Sequence, residues 1–90
     1  MEIEIIKTIF DDWTIQSKIL FKNKTNKNIK YIRIEARFYD KDNNLIDLGK
    51  EKVWVEAPPN SESVEILRFY NLDIDNIKSY KLKIASYQEY

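Results

Sequence analysis

The residues best placed to do chemistry are carboxylates. Asp40, Asp42 and Asn44 alternate, Asp47 follows, and Glu51 falls at the twelfth position counted from Asp40. Oxygen ligands at positions 1, 3, 5 and 12 are what a calcium loop supplies. The sixth position here is Leu45, where such a loop needs glycine for its sharp turn. The eighth is Asp47, where an apolar residue is expected, and no helical periodicity flanks the run. Turns rich in Asp and Asn hold themselves by side-chain bonds to their own backbone and need no ion. Asp40, Asp42 and Asn44 are therefore weak metal candidates, and no metal or other cofactor is expected. Asp73-x-Asp75-Asn76 is a second, weaker acidic turn.

Catalysis finds little else to use. The chain has 90 residues, no His and no Cys. That removes the commonest general base, the commonest metal ligand, any thiol nucleophile and any disulfide. Ser17, Ser61, Ser63, Ser79 and Ser86 have no His to activate them, and no Ser-x-x-Lys spacing occurs. Paired carboxylates lie only in turns, which seldom desolvate a group enough to raise its pKa. A chain of this length buries roughly 60–65% of its unfolded surface, which gives one modest core and no deep cleft. The expectation is a protein that is not an enzyme.

A basic stretch offers binding chemistry instead. Lys18, Lys22, Lys24, Lys27, Lys30 and Arg33 fall between Trp13 and Ile34 with no acid among them. The rest of the chain is acidic by the same amount, since 15 basic residues balance 15 acidic ones. No Gly-rich or aromatic RNA-binding motif accompanies the stretch. A solvated loop is the plainer reading, and nucleic acid is disfavoured as a partner.

A third candidate is a row of side chains rather than a motif. Over Asn28–Tyr39, Ile32, Ile34, Ala36 and Phe38 alternate with Tyr31, Arg33, Glu35, Arg37 and Tyr39. Period two marks a strand with one face in and one out. The outward row is rich in Tyr and Arg, the residues enriched at interface hot spots, and Trp54 could join it from a neighbouring strand. Such rows also stabilise sheets by cross-strand pairing, at about 0.2–1 kcal/mol a pair. The candidate binding residues are Tyr31, Arg33, Arg37, Tyr39 and Trp54.

These residues need strands to hold them, and the patterning supplies them within one domain, residues 1–90. Ile3, Ile5, Ile6 and Ile9 mark a first strand, with a bulge where Ile5-Ile6 breaks the alternation. After Asp11-Asp12, the odd positions Trp13, Ile15, Ser17, Ile19 and Phe21 form the inner row of a second; Trp13 and Phe21 are assigned to the core. The central strand runs from Ile29 to Tyr39, and Asp40 to Asn44 turn the chain into a short Leu45-Ile46 return. Lys50–Glu56 alternates again, with Val53 and Val55 inward and Trp54 outward, until Pro58-Pro59-Asn60-Ser61 ends it. Val64–Tyr70 is a strand whose inner face is ambiguous. Asn71–Ser79 is turn-rich, with Leu72, Ile74 and Ile77 as anchors and one helical turn. Tyr80, Leu82 and Ile84 begin a last strand that ends near Tyr87. About seven short strands and no long helix predict an all-β antiparallel sandwich.

The run ILFKNKTNKNIKYIRIEARFYDKDNNLID resembles the FxLYD-type, immunoglobulin-like domains of bacterial and archaeal proteins. Asn23, Thr25 and Asn26 sit where that family has an N-x-[ST]-like loop. Ala36-Arg37-Phe38-Tyr39-Asp40 occupies its signature segment, Asp42-Asn43-Asn44 its hairpin, and Pro58-Pro59-Asn60-Ser61 its L-x-P-G-E loop. Ala36 stands for the family's Phe, Phe38 for its Leu, and Asn44 and Asn60 for its turn glycines. The resemblance covers about Ile15 to Ile84. It implies an immunoglobulin-like sandwich and no catalytic residues. Under that strand order, Asp11-Asp12, Asp40-Asp42 and Glu62 would share one end of the sandwich. Lys22 to Lys30 would share the other with Asp73 and Asp75.

The expected function is a non-catalytic protein–protein interaction module, able to self-associate. A carbohydrate- or ligand-binding sandwich stacking on Tyr31, Tyr39 and Trp54 is the alternative. Further ones are a structural spacer in a larger surface protein and a small mobile-element inhibitor. No membrane segment or basic leader is visible. The chain reads as cytoplasmic if complete and as cell-surface if excised from a longer protein.

Overall fold

A computed structural model describes residues 1–70 and 72–89. Asn71, where the turn-rich segment was expected to begin, lies outside the described residues. Among the described residues six strands form: β1 (Glu2–Phe10), β2 (Ile15–Lys22), β3 (Ile29–Tyr39), β4 (Leu45–Ala57), β5 (Glu62–Phe69) and β6 (Ser79–Glu89). A 3-10 turn, Ile74–Asn76, precedes β6. The strands make two antiparallel three-stranded sheets, ordered β1-β2-β5 and β4-β3-β6.

The inner rows form the core. Ile15, Ser17, Ile19 and Phe21 from β2 face Ile32, Ile34, Ala36 and Phe38 from β3, all buried. Each fully buried Ile, Leu or Phe contributes about 1.5–3 kcal/mol by leaving water. The ambiguity in β5 resolves in favour of Leu67 and Phe69, which are buried, while Val64 and Ile66 face solvent. Phe69 meets Phe38 edge-on with centroids 5.6 Å apart. The only glycine of the chain, Gly49, lies against both rings: a Cβ there would stand 2.6 Å from Phe69 Cδ1 and 3.2 Å from Phe38 Cε2.

Two polar groups tie the sheets together inside. Tyr80 Oη on β6 donates to Ser17 Oγ on β2 at 2.9 Å and also meets Thr8 Oγ1 on β1. Asn23, fully buried after β2, donates from Nδ2 to the carbonyls of Lys27, Ala57 and Pro58 at 2.9, 3.0 and 3.0 Å. Its Oδ1 accepts from the Thr25 amide and hydroxyl. A buried amide so fully satisfied fixes the loop geometry around it.

Three expectations need correction. Trp13 is 71% exposed. It sits in the β1–β2 turn, where the extended geometry of the Ile15-to-Phe21 row has not yet begun. The Leu45-Ile46 and Lys50–Glu56 runs are one continuous 13-residue strand, β4, paired along nearly all of β3. Losing that break reverses the end at which every later loop emerges. Glu62 therefore lies beside Lys22, Asn23 and Lys24 at one end, where the Asn23 amide donates to the Ser61 carbonyl. Asp73 and Asp75 lie beside Asp40 and Asp42 at the other, where the Lys78 amide donates to the Tyr39 carbonyl.

The bulge expected at Ile5-Ile6 is present, as a register shift between Ile5 and Lys7. Asn43 and Asn60 adopt positive φ, 66° and 59°, which Asn tolerates better than most residues. Glu56 (φ 42°) does so inside β4, where the chain bulges opposite Lys30.

Candidate functional site

The outer face of the β4-β3-β6 sheet collects the binding candidates. Directly opposite residues in an antiparallel ladder share a face. On β3 the outer row is Tyr31, Arg33, Glu35, Arg37 and Tyr39. It pairs with Trp54, Lys52, Lys50 and Leu48 of β4. Across the other ladder it pairs with Gln88, Ser86, Lys83, Lys81 and Ser79 of β6. Six cations (Arg33, Arg37, Lys50, Lys52, Lys81, Lys83) thus surround one carboxylate, Glu35.

All five residues expected to bind lie on this face, and Tyr31 and Trp54 form an edge-to-face pair with centroids 5.3 Å apart. Trp54 is 57% exposed. Lys52 Nζ stands 4.0 Å from the Tyr31 centroid and 4.8 Å from that of Trp54. Lys30 and Arg33 each approach one of the two rings at 5.5 Å. Tyr39 is at the opposite end of the row, with Lys81 5.7 Å from its centroid. The face therefore has an aromatic cluster at one end, a lone Tyr at the other and cations between. Tyr31 Oη donates to Gln88 Oε1 at 3.0 Å, spanning the β3–β6 ladder.

Glu35 is held ionised. Arg37 Nε donates to its Oε1 at 3.0 Å, and that bond, with Lys83 and Lys50 nearby, keeps the carboxyl below the usual glutamate range against partial desolvation. The same contact raises Arg37. Two shallow depressions flank it, of 370 Å³ beside Lys50 and Lys52 and 330 Å³ beside Lys81 and Lys83. They suit side chains of a partner better than a small molecule, which needs a deeper enclosure.

Lys50, Lys52, Lys81 and Lys83 are not expected as a group, because they form no contiguous basic run. The signal was there in another form: Lys-x-Lys occurs in each strand that flanks β3, at the spacing that sends both cations to one face. The run from Lys18 to Arg33 is instead divided. Arg33 lies on the outer face of the β4-β3-β6 sheet, Lys18 and Lys22 on the outer face of the other sheet, and Lys24 pairs with Glu2 at 2.9 Å, drawing that carboxyl down.

The calcium spacing does not assemble as a site. Asp40 Oδ1 accepts the amides of Asp42 and Asn44, both at 2.9 Å, and the Asn44 amide leads the causes that lower its pKa. Glu51 sits well along β4, opposite Ile34. Asp73 Oδ2 is likewise taken by Asn76 Nδ2 at 2.7 Å. Among the described residues, no group of three or more His, Cys, Asp or Glu side chains is arranged to hold a metal. The acidic turns instead crowd one end, with Asp40, Asp42, Asp73 and Asp75 around Lys41 and Lys78.

The β1-β2-β5 sheet presents a different outer face. Val64 and Ile66 are 52% and 48% exposed, Leu20 lies opposite Val64, and Ile9 adds a further exposed aliphatic. No helix among the described residues is long and apolar enough to cross a membrane. Comparison with known protein families, characterised proteins and solved structures finds no match.

Proposed function

We propose that this chain is an immunoglobulin-like, non-catalytic interaction module that docks an acidic surface of another protein through the outer face of its β4-β3-β6 sheet. One observation carries this reading: six cations and a Tyr31–Trp54 pair with Trp54 exposed converge on one face of a chain whose net charge is zero. The strand order β1-β2-β5 against β4-β3-β6 suits an immunoglobulin-like sandwich, as does the resemblance to FxLYD-type domains. Aromatic rings and arginines supply hot-spot chemistry, and surrounding lysines steer an acidic partner into register.

Protein is favoured over nucleic acid by what interrupts the positive field. Glu35 places a carboxylate at the centre of the face, and the acidic end lies just beyond Tyr39. Charges act over about 8 Å at physiological salt, so a long polyanion running the length of β3 would meet both. A compact acidic patch seated on Tyr31, Lys52 and Trp54 stays clear of the acidic end and meets Glu35 only as a carboxylate already paired with Arg37.

The test is retention of partners from a nuclease-treated lysate of the native host, with wild type compared to Lys52→Glu/Lys83→Glu. A defined set of proteins held by wild type and lost by the variant supports the reading. Equal retention by the variant contradicts it, and loss on nuclease treatment alone points to nucleic acid.

A further inference from the structure

The two lateral sides of the sandwich are not alike. On one, β4 and β5 run close together, joined by the turn at Pro58–Ser61, and Gly49 packs beneath Phe69. On the other, β1 and β6 are both edge strands and approach each other over a shorter stretch, where Thr8 meets Tyr80.

Away from that contact, inward-facing apolar side chains stay wet. Ile5 pairs with the fully buried Ile19, Phe10 with the fully buried Ile15, and Tyr87 with the fully buried Ile32. Each therefore points to the core side of its sheet, yet the three are 41%, 48% and 45% exposed. An inward-facing side chain that remains nearly half exposed marks the place where the next strand is missing. Among the described residues no strand pairs with the outer edge of β6, which is 11 residues long and runs along that opening.

We propose that an extended segment of a partner protein adds as a strand beside β6, with apolar residues turned inward over Ile5 and Tyr87 and acidic residues turned outward beside Lys81 and Lys83. This rests on the reading of the β4-β3-β6 sheet as the protein-binding sheet, which the added strand would extend. The occupant's chemistry follows from the two rows it must continue. Its inner row covers apolar side chains that would otherwise meet water. Its outer row continues a face on which β6 presents Lys81 and Lys83 and β3 presents Arg37. Main-chain bonding along the edge supplies affinity, and the alternate side chains supply specificity.

The same features select against a second copy of the chain. Ala85 is a bulge residue, at the register shift between Ile34 and Arg33, and it interrupts the regular edge. A bulge and lysines are the devices that blunt an edge against indiscriminate pairing. An identical basic sheet would be repelled; an acidic strand would not.

The test uses the isotope-labelled full chain and three synthetic peptides of β6's length, 11 residues. The first alternates Val or Ile with Glu, the second replaces Glu with Lys, and the third scrambles the first. Amide exchange and shift perturbation are read along β6. The expected result is binding of the first peptide alone, with slowed exchange at alternate β6 amides. The lysine peptide should bind about tenfold or more weakly, the effect of two or three cross-strand ion pairs. Lys81→Glu/Lys83→Glu should invert that preference, and Tyr87→Ser should weaken both, while Val64→Thr on the outer face of β5 should leave peptide binding unchanged.

Exchange at β6 unaltered by every peptide overturns the proposal. So does a free chain that is already dimeric with β6 protected, since a second copy then holds the position. If β6 stays unprotected while acidic partners still require Lys52 and Trp54, the strand-addition inference fails and the face-binding function stands.

Discussion

Lys52 on β4 holds its ammonium 4.0 Å from the centre of the Tyr31 ring on β3 and 4.8 Å from that of Trp54, capping the pair from one side. One side chain thus connects two strands and both aromatic residues. A cation over an exposed aromatic ring is worth about 0.5–1 kcal/mol. Lys52→Met should lower stability by about that amount in urea unfolding, with a shift in tryptophan emission as Trp54 loses its neighbour. Trp54→Ala should cost stability little, because more than half of the side chain already faces water, yet abolish partner retention. Equal losses of stability and binding would argue that Trp54 is structural.

Gly49 is expected to be the least substitutable position of β4. A methyl group there meets Phe69 Cδ1 at 2.6 Å, inside any tolerable contact. Gly49→Ala should destabilise by about 1–3 kcal/mol through overpacking. Phe69→Leu in the same chain should recover part of that loss, so the double mutant should be more stable than the sum of the singles implies. Strict additivity would show that the clash is relieved by backbone movement instead.

Asn23 should be irreplaceable for reasons of hydrogen bonding. Its Nδ2 faces three carbonyl oxygens. Asn23→Ala leaves those acceptors unpaired in a buried site and should cost about 2–4 kcal/mol. Asn23→Asp sets a carboxylate against the same carbonyls, so its folded-state pKa must rise above the unfolded one. The stability of that variant should then fall as pH rises through the aspartate range, a slope wild type lacks at this position. Thermal melts across the acid range distinguish the two variants.

The pH dependence of the wild type should contain two opposed contributions. Asp40, Glu35 and Glu2 are held below their ordinary values by the Asn44 amide, Arg37 and Lys24 respectively. For each, the folded pKa is depressed, so its stabilisation is present above the unfolded value and lost as pH falls through the folded one. Glu65, on the inner row of β5 opposite Ile19, is pushed up by burial. Its charged form is penalised in the fold, so stability declines as pH rises from the ordinary glutamate value through the raised one. Glu65→Gln should remove that decline and steepen the net acid loss, read as melting temperature against pH. An unchanged profile would show that Glu65 reaches solvent.

Much of the fold was legible in the sequence. The β3 boundaries, its buried and exposed rows, the bulge at Ile5-Ile6 and the inward Val53 and Val55 all follow from period-two alternation, because a strand with one wet face must obey it. What misled was punctuation. Leu45-Ile46 and Lys50–Glu56 read as two runs, but Gly49 between them packs against two phenylalanine rings and β4 continues through it. That single fusion moved Glu62 and the Asp73–Asp75 turn to opposite ends from those expected. Trp13 failed for a related reason, since its parity matched a row that begins only at Ile15. The proposed docking face was half legible: Tyr31 to Tyr39 announced itself, while the four lysines that make it basic are spread over two strands that only the sheet brings together.

If the β4-β3-β6 outer face takes an acidic protein surface, that surface must sit over Tyr31, Lys52 and Trp54. The most direct measurement is amide shift mapping of the labelled chain with the nuclease-resistant partner that wild type retains. Perturbations centred on Tyr31, Arg33, Lys52, Trp54 and Lys83 are the expected result. Perturbations centred on Leu20, Val64 and Ile66, the aliphatic face of the other sheet, would contradict it.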